Sequence, residues 1–186
     1  MTPDPQTYLD VVGQIVKKLE ALKLTPVLVG GMALVVLGSQ RVTKDFDFLI
    51  SEEARNLEAL IQIFYHHGLE LVSKFNKQKE VIATIENRKI AYSRLQLDRP
   101  DSAYFYNHQT GLRIDLLFDF PFTALEISKK AKNMKIRSHT FKIASKSDLI
   151  RLKKIAYQNR KFASDAQDLD FLNQSHLQNK STTFKK

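Results

Sequence analysis

The residues of this chain that could do chemistry are, first of all, three aspartates. In Asp45-Phe46-Asp47-Phe48 the two-residue period of a strand puts both carboxylates on one face and both phenyl rings on the other. Carboxylates about 7 Å apart along a strand repel each other, and a hard divalent cation that takes oxygen ligands relieves the repulsion. Solvated acids on an edge strand are the plain alternative. A third acid, Asp115, interrupts the apolar run Ile114-Asp115-Leu116-Leu117. Burying an unpaired carboxylate is costly, so Asp115 needs a partner, either Arg113 or a cation shared with the first pair. Two adjacent strands would bring all three acids together.

A glycine pair supplies the complementary half of such a site. Gly30-Gly31 follows the short apolar run Val27-Leu28-Val29 and precedes a short helical stretch. Glycine there lets the backbone approach an anion, and the N–H groups of the next turn point at it. A plain turn is the commoner use of two glycines. Strand, glycine pair, helix, Asp-x-Asp strand and later lone Asp together describe a phosphate cradle beside a carboxylate cluster. Arg41, Thr43 and Lys44 flank the Asp-x-Asp strand within reach of a phosphate, although any loop collects such residues. Lys153 lies at the edge of the apolar face made by Leu149, Leu152 and Ala156, so it either reaches inward to phosphates or snorkels out to water. Tyr104, Phe105 and Tyr106 either stack on a base or fill the core.

The elements that must position these residues follow from hydrophobic spacing. Residues 7–22 place Leu9, Val12, Val16 and Leu19 at helical intervals. Val27 to Val29 reads as a buried strand, Met32 to Leu37 as a short helix, Asp45 to Ile50 as a strand, and residues 52–67 as an amphipathic helix stopped by Gly68. Further strands are expected at Leu69 to Phe75 and Tyr92 to Leu97. Tyr104 to Asn107 and Arg113 to Phe118 read as a hairpin pair. The remainder predicts a helix at Phe122 to Ala131, a short strand pair in Arg137 to Ile143, a helix at Ser147 to Tyr157 capped by Ser147, a helix at Asp165 to Leu172, and a frayed polar tail from Gln174.

Composition narrows the class further. A chain of 186 residues, 43% hydrophobic, is the size of one globular domain with a small appended part. It contains no cysteine, which removes disulfides, zinc fingers and thiol nucleophiles, and no serine triad is apparent. The first residues carry neither a basic region nor an apolar stretch, and no apolar run approaches the roughly 20 residues that span a bilayer, so a cytoplasmic protein away from membranes is expected. Between Lys129 and Lys161 stand twelve Lys or Arg against the single acid Asp148, more than the whole chain's net +9. Such a segment attracts a polyanion, a triphosphate or an RNA backbone, unless it is simply a solvated face.

The run Val29-Gly30-Gly31-Met32-Ala33-Leu34, continued by Arg41-Val42-Thr43-Lys44-Asp45-Phe46-Asp47-Phe48-Leu49, resembles the Gly-Gly-motif branch of the DNA polymerase beta-like nucleotidyltransferases. Arg113-Ile114-Asp115-Leu116-Leu117 matches where that superfamily carries its third carboxylate. The run Asp148-Leu149-Ile150 with Lys153, Arg160-Lys161, Asp165 and Asp168 is similar to a helical segment of bacterial members related to abortive-infection toxins, except that Phe162, Ala163 and Ser164 intervene before Asp165.

The resemblance implies an α/β (α+β) nucleotidyltransferase fold, with a mixed, mostly antiparallel sheet flanked by helices. Residues 1–120 would form the catalytic core, 121–175 a basic helical part of the same domain and 176–186 a flexible tail. It implies Mg²⁺ or Mn²⁺ on Asp45, Asp47 and Asp115, with Asp115 also helping to deprotonate the attacking hydroxyl. Gly30 and Gly31 would hold the β and γ phosphates of a nucleoside triphosphate, with Arg41, Thr43, Lys44 and Lys153 as further nucleotide contacts. The expected reaction moves a nucleoside monophosphate to an acceptor hydroxyl with release of pyrophosphate. RNA, at a tRNA 3′ end, is one acceptor, reached through the basic 129–161 segment. A small molecule of aminoglycoside type or a protein hydroxyl is the alternative, and a catalytically silent nucleotide- or RNA-binding module of the same fold is the competing class. Toxin relatives also imply a cognate protein partner.

Overall fold

The structure is a computed structural model and describes residues 5–51 and 56–181. In chain order the elements are α1 (Pro5–Ala21), β1 (Val27–Val29), α2 (Gly30–Val36), β2 (Asp45–Ile50), α3 (Leu57–His66), β3 (Glu70–Phe75), β4 (Val81–Ile85), α4 (Arg88–Asp98), β5 (Ser102–Tyr106), β6 (Arg113–Phe118), α5 (Ala124–Ser128), β7 (Lys132–Ile136), β8 (His139–Ile143), α6 (Lys146–Arg160) and α7 (Ala163–Ser181). The strands form one mixed sheet in the order β4-β3-β5-β6-β2-β1-β8-β7. Only β2 with β6 and β1 with β8 run parallel; the other neighbours are antiparallel, as expected for this fold.

The core explains which strands lie at the centre. All three residues of β1 are buried, and the inward positions of β2 and β6 carry Phe46, Phe48, Ile114 and Leu116. β1 reads as a continuous apolar run, β6 as one broken by Asp115, and β2 as an alternation of Asp with Phe, and all three have the boundaries expected of them. Phe105 of β5 stacks on Phe64 of α3 with centroids 4.0 Å apart, so it belongs to the core, whereas Tyr104 beside it faces the other way.

The weakly patterned middle departs from expectation. Tyr92 to Leu97 is helical, part of α4, where Ala91 and Leu95 are buried four residues apart and Asn87 accepts hydrogen bonds from the N–H groups of Lys89 and Ile90. The unexpected strand β4 sits at the sheet edge with irregular pairing to β3, so it shows no clean alternation. The third helix begins at Leu57 behind an Asn56 cap; residues 52–55, where its start was expected, lie outside the described residues. The expected helix over 122–131 shrinks to the short α5, capped by Thr123. The strand pair is a wider hairpin, β7–β8, with Arg137 at φ +57° in its turn. Ser145 rather than Ser147 caps α6, accepting from the Asp148 N–H and donating to Asp148 Oδ2 at 2.6 Å. The last helix, α7, continues past Gln174 to Ser181, and 182–186 lie outside the described residues. Among the described residues no helix is long and apolar enough to cross a membrane.

Candidate active site

The parallel pairing of β2 with β6 determines the centre of the site. Its register sets Asp47 opposite Asp115 and Asp45 opposite Arg113, so residues some 70 positions apart face each other in one row. On the other side of β2, Asp47 is the antiparallel partner of Val29, and the chain turns there into α2 at Gly30. Asp47, Asp115, Gly30 and Lys153 line one cleft of about 780 Å³, together with Phe75, Tyr104, Arg113 and Phe120. Asp45 stands at its rim, with 42% of the side chain exposed.

Both glycines are required by what lies against them. Gly30 has φ +64°, and a Cβ there would fall 2.0 Å from Asp47 Oδ2. A Cβ on Gly31 would come within 2.8 Å of the Arg41 guanidinium carbon. The main chain therefore passes directly beneath the carboxylate and the cation, and no side chain caps α2.

The charges are arranged unevenly. Arg113 donates from Nε to Asp115 Oδ1 at 2.8 Å and from Nη2 to Oδ2 at 2.6 Å, and its Nη1 is 3.6 Å from Asp45 Oδ2. The hydrogen bond to Asp115, more than any other influence, keeps the guanidinium protonated. Asp115 is buried, and burial pushes its carboxyl above the ordinary range while Arg113 pulls it back. Asp47 is raised from 3.8 to about 7 by burial first, then by Asp115 and Asp45, with Lys153 and Arg113 acting in the opposite sense.

Lys153 reaches inward. Its Nζ lies 3.2 Å from Asp165 Oδ1 and 2.6 Å from Asp168 Oδ2, and Asp168 also accepts from Arg41. A buried network thus ties α6 and α7 to the residue packed against Gly31. Asp168 is the site residue that spacing alone did not single out. Thr43 accepts from the Asp45 N–H at 3.3 Å and so shapes the entry to β2, and Lys44 is exposed outside the cleft lining. Tyr104 reaches the cleft because it is the register partner of Asp115 on β5.

The basic segment divides in two. Arg151 pairs with Glu126 and Asp148 and covers the Phe122 ring, and Lys153 is buried, so much of α6 is spoken for. Lys129 and Lys130 after α5, Lys132 and Lys135 on β7 and Arg137 in the hairpin turn are exposed, and none takes part in an ion pair among the described residues. Lys132 pairs with Ile143 at the end of β8 nearest the glycine turn, and Arg137 lies at the far end.

An all-oxygen donor set beside a carboxyl that burial and two acids hold near neutrality suits a hard divalent cation. As they stand, however, no group of three or more His, Cys, Asp or Glu side chains among the described residues is arranged to enclose an ion. Both oxygens of Asp115 are taken by Arg113.

The family model for the nucleotidyl transferase AbiEii toxin of type IV toxin–antitoxin systems matches residues 13–185. Among curated protein sequences none matches significantly. Solved structures with the same fold include the lincosamide antibiotic adenylyltransferase LnuA in a lincomycin-bound crystal structure, at 12% identity and TM-score 0.53, covering 88% of this chain and 95% of that one. The antibiotic-resistance factor ANT(2'')-Ia shares 12% identity at TM-score 0.58, with 92% and 85% covered. An antigenic nucleotidyltransferase-like protein from Paracoccidioides brasiliensis shares 18% identity at TM-score 0.56, with 89% and 74% covered.

Proposed function

Because the chain belongs to the nucleotidyl transferase AbiEii toxin family of type IV toxin–antitoxin systems, and is thus a nucleoside-triphosphate-using nucleotidyltransferase, we propose that it transfers a nucleoside monophosphate to an RNA hydroxyl at the cleft between β1, β2 and β6, with Mg²⁺ or Mn²⁺ held by Asp45, Asp47 and Asp115. The observation that carries this reading is the register that sets Asp47 opposite Asp115 while the Gly30 backbone lies against the Asp47 carboxylate. Carboxylates and an anion-accepting turn are thereby within one residue's reach of each other.

In this reading the backbone at Gly30 and Gly31 cradles the β and γ phosphates, and Lys153 and Arg41 supply positive charge on the α6 and α7 side. Thr43 and Lys44 contribute at the rim. The divalent ions, when bound, supply Lewis-acid charge to the entering and departing oxygens. Asp115 accepts the proton of the acceptor hydroxyl. The freed oxygen attacks the α-phosphorus in line, the α–β bridging bond breaks, and pyrophosphate leaves toward the glycine turn. This chemistry depends on positioning and charge more than on a special nucleophile, which suits a chain without cysteine.

The acceptor side rests on charge. Five exposed cations without an ion pair among the described residues run from the end of α5 through β7 to its turn, and Lys132 lies at the end of β7 toward the glycine turn. Such a row matches a polynucleotide backbone, and the type IV assignment implies a cognate antitoxin as the controlling partner.

The test is label transfer from each α-labelled nucleoside triphosphate to total RNA with Mg²⁺ or Mn²⁺. Transfer to RNA that disappears in Asp47→Asn supports the proposal. Metal-dependent triphosphate binding without transfer to RNA refutes it, and in that case label appearing on an aminoglycoside-type acceptor would move the activity to the small-molecule class.

A further inference from the structure

Resting on the metal-dependent reading above, we propose that Arg113 is the resident counter-cation of the carboxylate cluster, a positioning residue that must release Asp115 before a divalent ion gains its full set of carboxylates. Three observations converge on it. Arg113 takes both Asp115 oxygens, at 2.8 and 2.6 Å. It reaches Asp45 at 3.6 Å, because register places it directly opposite that residue. It also bears electrostatically on Asp47, so one guanidinium offsets all three acids. The other nearby cation, Lys153, makes its ion pairs with Asp165 and Asp168 and none with Asp45, Asp47 or Asp115 among the described residues.

A divalent ion held by Asp47 and Asp115 would have to share the Asp115 carboxylate with that guanidinium. Like charges on one carboxylate repel strongly where water is scarce, so the two cations exclude each other from Asp115. The structure also provides a place for the arginine to go. Its guanidinium carbon is 5.7 Å from the ring centroids of both Phe75 and Tyr104, which meet edge-on at 88° and line the same cleft. The face of an aromatic ring holds a cation well. A side-chain rotation onto that corner frees Asp115 and leaves Arg113 in the cleft wall on the β5 side of Asp115, opposite the glycine turn. There the released positive charge faces whatever approaches Asp115. If Arg113 merely aimed Asp115 at a metal, removing it would weaken metal binding; as a competitor, its removal strengthens binding.

The experiment is a titration of Mn²⁺ alone, followed by the loss of the free-ion EPR signal, on the wild type and Arg113→Gln, with circular dichroism confirming the fold. The expected result is at least about tenfold tighter Mn²⁺ binding by the variant. Equal or weaker binding overturns the proposal while leaving the nucleotidyl-transfer reading intact. If Arg113→Gln does not fold, the wild type decides: its Arg113 Nε–H resonance, identified by its loss in Arg113→Lys, should shift when saturating Mg²⁺ is added, and an unmoved resonance overturns the proposal. If neither protein binds Mn²⁺ even with a nucleoside triphosphate present, the metal-dependent reading itself falls, and this proposal with it.

Discussion

Replacing Asp47 with asparagine removes a carboxylate that burial and two neighbouring acids make folding disfavour, and its effect on stability depends on pH. The folded carboxyl titrates at about 7 against an ordinary 3.8, because burial, Asp115 and Asp45 all oppose its charge. The folded state therefore holds this proton more tightly than the unfolded chain does. The sign follows from linkage: stability associated with Asp47 is intact below about pH 4, falls as pH rises toward about 7, and is level above that. A gap of roughly 3 units at about 1.4 kcal/mol each sets an upper bound near 4 kcal/mol. Part of the Asp47 surface opens onto the cleft, and water there screens the charge, which brings the expectation to about 2 kcal/mol. In chelator, Asp47→Asn should match the wild type near pH 4 and exceed it by about 2 kcal/mol near pH 8, or roughly 4–8 °C in Tm. Urea unfolding across that pH range measures it. Added Mg²⁺ should narrow the difference at high pH by stabilising the wild type alone. A gap that does not change with pH would refute the reasoning, since it would mean that the Asp47 charge is not what folding opposes.

Other consequences are as direct. Asp168→Asn neutralises the acid that joins Arg41 to Lys153 and should cost about 3 kcal/mol in chemical denaturation while weakening triphosphate binding. Gly30→Ala should abolish transfer and lower stability by about 1–3 kcal/mol, because it combines a positive φ with a methyl placed on the Asp47 carboxylate; Gly31→Ala should cost less, since its methyl meets the movable end of Arg41. Ser145→Ala removes the α6 cap and should cost about 1 kcal/mol with transfer activity retained, as calorimetry and the label assay would show. Charge reversal at Lys132 and Lys135 should flatten the dependence of RNA affinity on salt by about one unit of log–log slope for each phosphate no longer neutralised, without changing triphosphate binding.

The secondary structure was legible where burial is continuous and illegible where it is not. The boundaries of β1 and β6 follow from their apolar runs, the latter broken by Asp115, while those of β2 follow from alternation, with both aspartates on one face and both phenyl rings in the core. Edge strand β4 and the thinly buried helix α4 have few inward positions, so local spacing could not tell strand from helix there. A cap depends on which hydroxyl reaches an N–H three residues on, and Ser145 and Ser147 are equivalent as letters; the backbone direction entering α6 distinguishes them.

What the amino-acid sequence determined by itself was chemical inventory and local direction: two carboxylates on one strand face, an isolated acid in an apolar run, a glycine pair after a strand, and no cysteine. Those depend only on residue type and the two-residue period of a strand. Long-range register belonged to the tertiary structure alone. It set Asp47 opposite Asp115 and Arg113 opposite Asp45, turned Lys153 inward between Asp165 and Asp168, and left part of the basic segment buried and part of it exposed. Such choices are made by packing between segments distant in the chain, where the energy of a buried charge depends on neighbours that no local pattern can name.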